Sequence, residues 1–270
     1  WLGETDPADY MSTGRLLFDP VDPDRLWFAE GMGVWHTDAP TAERVVWTAA
    51  SSGIEELVVS DILKPPGGDL IVTVADRQGF HFDELDTFPS RTLIDERFIS
   101  GVDVDYSGGD PERLAWLGAQ THLNAFEAAP LGATSDDGGA TWQTMTGMDP
   151  EMFGGEVAVS ATDPDRMVWL PAQRAGAPPS GLFVSDDGGR SWQRRRPTDD
   201  MNTLHGNVWW FMRRALAADR VDGSMYLMSD DERFSVSDDG GTTWRDATFA
   251  PPCQVDLDCH VFGQLRAVPG

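Results

Sequence analysis

Lysine is almost missing from this chain: Lys64 is the single one in 270 residues, and 20 basic side chains face 45 acidic ones, for a net charge of −25. A surface so negative repels a phosphate backbone, which excludes nucleic acid as a partner. No apolar run approaches the ~20 residues of a membrane-spanning helix. No charged-then-apolar leader opens the chain either, so no membrane partner is expected. The first residue is Trp1 rather than Met, which reads as a processed product or an excised piece. Helical periodicity with good caps is absent over any useful length, and that argues against an α/β fold. Gly-x-Ser-x-Gly, P-loop and dinucleotide fingerprints are missing too, and no cofactor is expected.

Cysteine is scarce. Cys253 and Cys259 stand with five residues between them in "PPCQVDLDCHVF". A disulfide closing so short a ring would contribute about 2 kcal/mol in the chain-entropy model, and it points to an oxidising, extracellular setting. Free thiols are one alternative. A metal site with His260 is another, but a fourth ligand at the usual spacing is lacking, so no metal is expected.

What the chain has in quantity is glycine, tryptophan and repetition. "TSDDGGATWQ" at 134–143 returns as "VSDDGGRSWQ" at 184–193 and "VSDDGGTTWR" at 236–245. A catalytic motif is needed once, whereas a device repeated at a fixed interval builds architecture. Each copy reads as a hairpin tip: the glycines supply positive φ, and the Ser and Asp side chains can bond backbone N–H groups across the turn. A second signature precedes each tip: "DPVDPDRLWF" (19–28), "GGDPERLAWL" (108–117), "ATDPDRMVWL" (161–170) and the looser "ADRVDGSMYL" (218–227). Each reads as strand, turn, strand. "GVWHTDAPTAERVVW" (33–47) and "GFHFDELDTF" (79–88) are degenerate hairpins in the same rhythm.

Four short strands recurring about every fifty residues predict a β-propeller. An irregular β-sandwich would leave the period unexplained. The units fall near 14–48, 57–88, 101–144, 156–195 and 208–247, with a further one starting at 263–270, so residues 1–270 read as a single propeller region. A ring that begins and stops in this way is expected to be part of a larger propeller.

The repeated tip resembles the Asp-box, or BNR repeat, of sialidases, sortilin-like receptors and glycosidase propellers. The stretch "SSGIEELVVSDILKPPGGDLIVTVADRQGFHFDEL" (51–85), with "GRLLFDPVDPDRLWFAEGMGVWHTD" before it and "ADRVDGSMYLMSDDERFSVSDDGGTTW" after it, resembles the xyloglucanases of glycoside hydrolase family 74. That resemblance implies two seven-bladed propellers with a glucan-binding cleft between them. It also implies inverting hydrolysis by two aspartates, one from each propeller, whose carboxyl groups stand about 6.5–9.5 Å apart. Neither catalytic aspartate is placed on this chain. Asp76 in "VADRQGFHF" looks like the repeat counterpart of one of them, with Ala75 and Gln78 where the family has glycines. Sialidase chemistry fits poorly, since only Tyr10, Tyr106 and Tyr226 are available as nucleophiles and no Phe/Tyr-Arg-Ile-Pro segment exists.

Eight tryptophans follow the period and are expected to pack blades: Trp27, Trp35, Trp47, Trp116, Trp142, Trp169, Trp192 and Trp244. Trp1, Trp209 and Trp210 break it. If "HGNVWWFMRR" is a strand, Trp209 and Trp210 point to opposite faces. The ligand side should be the end opposite the tips, whose loops hold Glu30, Glu55, Glu56, Asp76, Arg77, His122, Glu127, Arg174 and His205. Of these, Glu30, Glu55, Glu56 and Asp76 are the expected substrate-binding carboxylates, joined by His205, Trp209 and Trp210. The expected partners are a polysaccharide or oligosaccharide and the remaining blades or second propeller of the same protein, outside the cell. The alternative is a non-catalytic, sortilin-like propeller that binds a glycan or a protein.

Overall fold

A computed structural model of the chain describes residues 14–30, 33–52, 57–75, 77–89, 91–94, 99–120, 130–172, 181–195, 215–228, 234–247 and 265. Among them every regular element is a strand, and the strands form five antiparallel four-stranded blades, each ordered as its strands occur in the chain. Blade 1 holds β1 (Arg15–Phe18), β2 (Leu26–Glu30), β3 (Gly33–Thr37) and β4 (Thr48–Ala49). Blade 2 holds β5 (Val59–Leu63), β6 (Leu70–Val74), β7 (Arg77–Phe82) and β8 (Arg91–Thr92). Blade 3 holds β9 (Ile99–Ser107), β10 (Asp110–Gln120), β11 (Leu131–Ser135) and β12 (Gln143–Thr144). Blade 4 holds β13 (Phe153–Val159), β14 (Met167–Ala172), β15 (Leu182–Ser185) and β16 (Gln193–Arg195). Blade 5 holds β17 (Leu216–Ala218), β18 (Met225–Met228), β19 (Phe234–Ser237) and β20 (Arg245–Asp246). This is the all-β propeller architecture that the period predicts. The chain divides into two compact units, residues 1–58 and 59–270.

In the first unit the aromatic residues of the repeat make the core. Phe28 stacks on Trp35 at 6.1 Å between ring centroids and meets Trp47 edge-on at 4.7 Å. The Asp-Pro turn is held by Asp19, which accepts from the Val21 N–H at 2.8 Å and from Trp27 Nε1 at 3.0 Å. Arg25 Nε closes the same end on Asp38 Oδ1 at 2.6 Å.

In the second unit the cores lie between consecutive blades. Ile71 and Leu93 of blade 2 pack on Val104, Leu114, Trp116 and Ala133 of blade 3. Ala115, Leu117 and Met145 meet Val157, Met167, Trp169 and Phe183 of blade 4. Val168, Leu170, Leu182 and Val184 meet Leu216, Met225 and Leu227 of blade 5. Strand alternation explains this. In β14, Met167 and Trp169 face blade 3 while Val168 and Leu170 face blade 5, so the strand is buried on both sides and reads as an unbroken apolar run. The indole N–H groups of the two fully buried tryptophans are satisfied: Trp116 Nε1 donates to Gln78 O at 3.0 Å and Trp169 Nε1 to Gly154 O at 2.8 Å. Emptying either site to alanine would cost about 3–5 kcal/mol.

The first strand of each blade has one unpaired edge, and its N–H groups need acceptors. For blades 4 and 5, acidic side chains of the preceding blade supply them. Asp103 Oδ2 accepts from Val157 N at 2.7 Å, and Asp105 Oδ2 from Val159 N at 2.9 Å. Glu156 Oε2 accepts from both Ala215 N and Leu216 N at 2.7 Å. Ser60 and Ser107 do the converse, donating to Gly101 O at 2.6 Å and Ser160 O at 2.7 Å of the next blade.

Candidate functional site

Antiparallel order places the Asp-Pro turns and the Asp-Gly-Gly tips at one end of each blade, and every other connection at the opposite end. The tips have the internal bonding of a structural device. Ser185 Oγ donates to Asp187 Oδ1 at 2.9 Å and accepts from Gly189 N at 2.9 Å, while Asp187 takes the Ser191 N–H at 2.9 Å and its hydroxyl at 2.6 Å. Ser135 with Asp137, and Ser237 with Asp239, repeat the scheme. Both tip glycines need left-handed backbone; at Gly188 and Gly189 φ is 71° and 82°. Donation from the Ser191 hydroxyl, then from backbone N–H groups, holds the Asp187 carboxyl below its ordinary value. At Asp137 and Asp239 partial burial works upward, and the bonds from Thr141 and Thr243 outweigh it. These carboxylates are engaged within their own turns, and the tips are not the site.

At the opposite end, the backbone of Glu30 closes β2 and pairs with Gly33 of β3. A side chain at Gly33 would collide with Ser51 Oγ. That hydroxyl is buried, accepting from Val34 N at 2.9 Å and donating to Val34 O at 3.2 Å. Ser51 thereby pins the exit from β4 against the start of β3. Glu55, Glu56 and the side chain of Glu30 lie outside the described residues. In blade 2, Val74 pairs with Arg77 across a two-residue connection whose second residue is Asp76. Asp76, His205, Trp209, Trp210, His122, Glu127 and Arg174 also lie outside the described residues, as do Cys253 and Cys259.

Next to Asp76 the structure departs from a simple loop reading. Arg77 and Gln78 belong to β7 and are buried, at 6% and 5% exposure. Gln78 Oε1 has no hydrogen-bond partner among the described residues. Its backbone carbonyl is crowded by Gly101, where an added Cβ would strike it. All eight periodic tryptophans are partly or fully buried, with Trp116 and Trp169 at 0% exposure.

Two groupings escape a sequence reading because they join residues across strands. At the mouth of the β6–β7 hairpin, Asp69, His81 and Asp83 lie close enough to share a cation. His81 Nε2 is 3.5 Å from Asp69 and Nδ1 is 3.2 Å from Asp83. Arg91 Nη2 lies 3.1 Å from His81 Nδ1 and 3.8 Å from Asp83, so a guanidinium already balances these acids. The second grouping is a cleft of about 450 Å³ between blades 3 and 4 at the tip end, bordered by Arg113, Thr134, Gln143, Asp165 and Arg190. The arginine in each Asp-Pro-x-Arg turn was the one available signal for it.

Comparison with known proteins adds the family context. A BNR/Asp-box repeat model matches residues 183–194. Along 100% of its length the chain is 28% identical to a xyloglucanase of Acetivibrio thermocellus, of which it covers 29%. A xyloglucanase of Hypocrea jecorina is 32% identical over 85% of this chain and 25% of that protein. Among solved structures, the GH74 xyloglucanase from Xanthomonas campestris superposes with a TM-score of 0.69 at 25% identity, over 89% of this chain and 32% of that one. A GH74 enzyme of Niastella koreensis shares the fold, with a TM-score of 0.66 at 23% identity, over 88% of this chain and 31% of that one. The chain spans less than a third of the length of these relatives. Its homologues are xyloglucanases, and the solved structures that share its fold are GH74 enzymes.

Proposed function

We propose that this chain is an internal propeller section of a secreted hydrolase that cleaves xyloglucan or a related β-glucan with inversion. One observation carries the reading: the likeness to xyloglucanases runs along the entire chain, not through the Asp-box tips alone. Inversion requires one carboxylic acid to protonate the leaving oxygen and a second carboxylate to activate water, about 6.5–9.5 Å away. In this reading that aspartate pair lies elsewhere on the polypeptide, and this section binds the glucan. Glu30, Glu55, Glu56 and Asp76 accept hydrogen bonds from sugar hydroxyls, His205 adds a further polar contact, and Trp209 or Trp210 offers an apolar face to a ring.

Further blades or a second propeller complete the ring and its cleft. Leu16, Leu17 and Phe18 of β1, at 59%, 52% and 58% exposure, are apolar on both faces of a strand and suit such cover. Secretion accords with the short Cys253–Cys259 spacing. The test is reducing-sugar release from xyloglucan by the polypeptide with its flanking sequence, with product anomers followed by NMR. Release of the inverted anomer supports the reading. Tight binding with no cleavage sinks it in favour of a binding module.

A further inference from the structure

In blades 3 and 4 the Asp-Pro-x-Arg turn places an arginine, Arg113 and Arg166, at the seam with the next blade, and the position behaves differently at the two seams. Between blades 4 and 5, Arg166 donates through Nε to Gly240 O at 3.0 Å and through Nη2 to Asp239 O at 2.9 Å. It also bonds Thr242 Oγ1 and Asp186, so the seam is closed over the fifth blade's tip. Between blades 3 and 4 the equivalent Arg113 pairs with Asp165 instead. The tip residue equivalent to Thr242 is Arg190, whose Nη1 turns back to Asp187 O at 3.2 Å. Arg113 crosses to the turn residue Asp165 and, among the described residues, makes no hydrogen bond to the fourth blade's tip, and this seam holds the cleft of about 450 Å³, a volume usual for small-molecule sites.

The walls define what would fit. Thr134 and Gln143 are a cross-strand pair on blade 3, and their side chains make no hydrogen bond to any described residue. Thr146 closes one end, donating from its hydroxyl to Arg190 O at 2.8 Å, and the Arg113–Asp165 pair closes another. Two arginines, Arg113 and Arg190, are offset by two aspartates, Asp136 and Asp165, so the cleft carries no net charge in a chain of net charge −25. Free hydroxyl and amide groups, guanidinium donors and carboxylate acceptors with no excess of either sign suit a neutral polyhydroxylated molecule, not an ion.

We propose that the open seam between blades 3 and 4 is a second saccharide-binding site, which holds a neutral glucan chain at the tip end, away from the loops proposed to bind substrate for hydrolysis. The proposal rests on the glucan reading above for its ligand class. Thr134→Val with Gln143→Ala removes two unpartnered polar groups from a sheet face and leaves the melting temperature unchanged. In native gels containing xyloglucan, the double variant of the native-length protein should migrate less retarded than the parent. Its apparent Kd should rise about tenfold, the effect of losing two hydrogen bonds of ordinary strength. Turnover of oligosaccharides too short to reach both sites should not change.

Unaltered retardation in the double variant overturns the site while leaving the hydrolase reading intact. A panel of other neutral β-glucans separates the two ideas. Retardation by any of them that the double variant weakens supports the site even if xyloglucan is not cleaved. Retardation by none of them overturns both. Retardation lost with a sulfated polysaccharide alone overturns the neutral class.

Discussion

Arg220 of blade 5 reaches past blade 4 and places Nη2 2.5 Å from Asp105 Oδ1 of blade 3. Its Nη1 donates to Tyr106 O at 2.6 Å, and the guanidinium lies 4.2 Å over the Tyr106 ring centroid. The other Asp105 oxygen takes the Val159 N–H of blade 4 at 2.9 Å. One carboxylate thus joins three blades. Burial pulls the Arg220 guanidinium down, and the neighbouring Asp105 charge more than restores it.

Arg220→Met would leave Asp105 at 9% side-chain exposure without its counter-charge. The expected loss is about 3 kcal/mol, as for one partner of a buried pair removed alone. Arg220→Lys keeps the charge but cannot hold both acceptors and the ring together, and should fall between. Denaturant midpoints of the parent and both variants check this, and a loss below about 1 kcal/mol for Arg220→Met would show that the link is ornamental.

Asp187→Ala removes the acceptor that orders the fourth blade's tip. A loss of about 1 kcal/mol is expected, with the affinity for oligosaccharides too short to reach the tip end unchanged in the folded protein. Calorimetry with and without glucan separates the outcomes. A weakened affinity at an unchanged melting temperature would make the tip part of a binding site.

The same tips give an acid limb to stability. Asp137, Asp187 and Asp239 sit below the ordinary 3.8 in the folded chain, so the unfolded chain takes up their protons first as pH falls. Their contribution is complete above 3.8 and is withdrawn as pH drops below it towards the folded values. Replacing all three with asparagine should lower stability at neutral pH and flatten its decline below about pH 4. An equally steep decline in the triple variant would assign the acid limb to other carboxylates.

Much of this molecule is legible in its sequence where a residue's role is settled within its own turn. Ser-Asp-Asp-Gly-Gly carries the positive-φ positions and the acceptor that its own hairpin needs. The tryptophans follow the period because each blade repeats the same core. The acids of "VDVDYS" are different. Asp103 and Asp105 alternate with valines and read as the wet face of a half-buried strand, yet both are buried because their partners are N–H groups on the next blade's edge. Nothing within reach of the motif announces that neighbour. Arg77 and Gln78 were hidden for a related reason: a two-residue connection between Val74 and Arg77 carries the strand almost to Asp76, leaving little loop. Of the expected carboxylate cluster, the described residues include the backbone of Glu30, paired with Gly33, and none of the carboxylates themselves.

Asp76 lies outside the described residues, and in sequence it stands between Val74, which ends β6, and the buried Arg77, which opens β7. Gln78, the residue after Arg77, is buried within β7. A catalytic aspartate needs a reacting atom within hydrogen-bond reach and room for the water or leaving group. The role proposed for Asp76 is binding, as an acceptor from a sugar hydroxyl. Asp76→Ala in the native-length enzyme should therefore raise KM more than it lowers kcat. Gln78→Gly, which restores the family's residue, should leave kcat unchanged. Steady-state kinetics on xyloglucan measures both. A kcat loss of about 10³-fold for Asp76→Ala, with folding intact, would make Asp76 a general acid or base, and no change in either parameter would reduce it to surface charge.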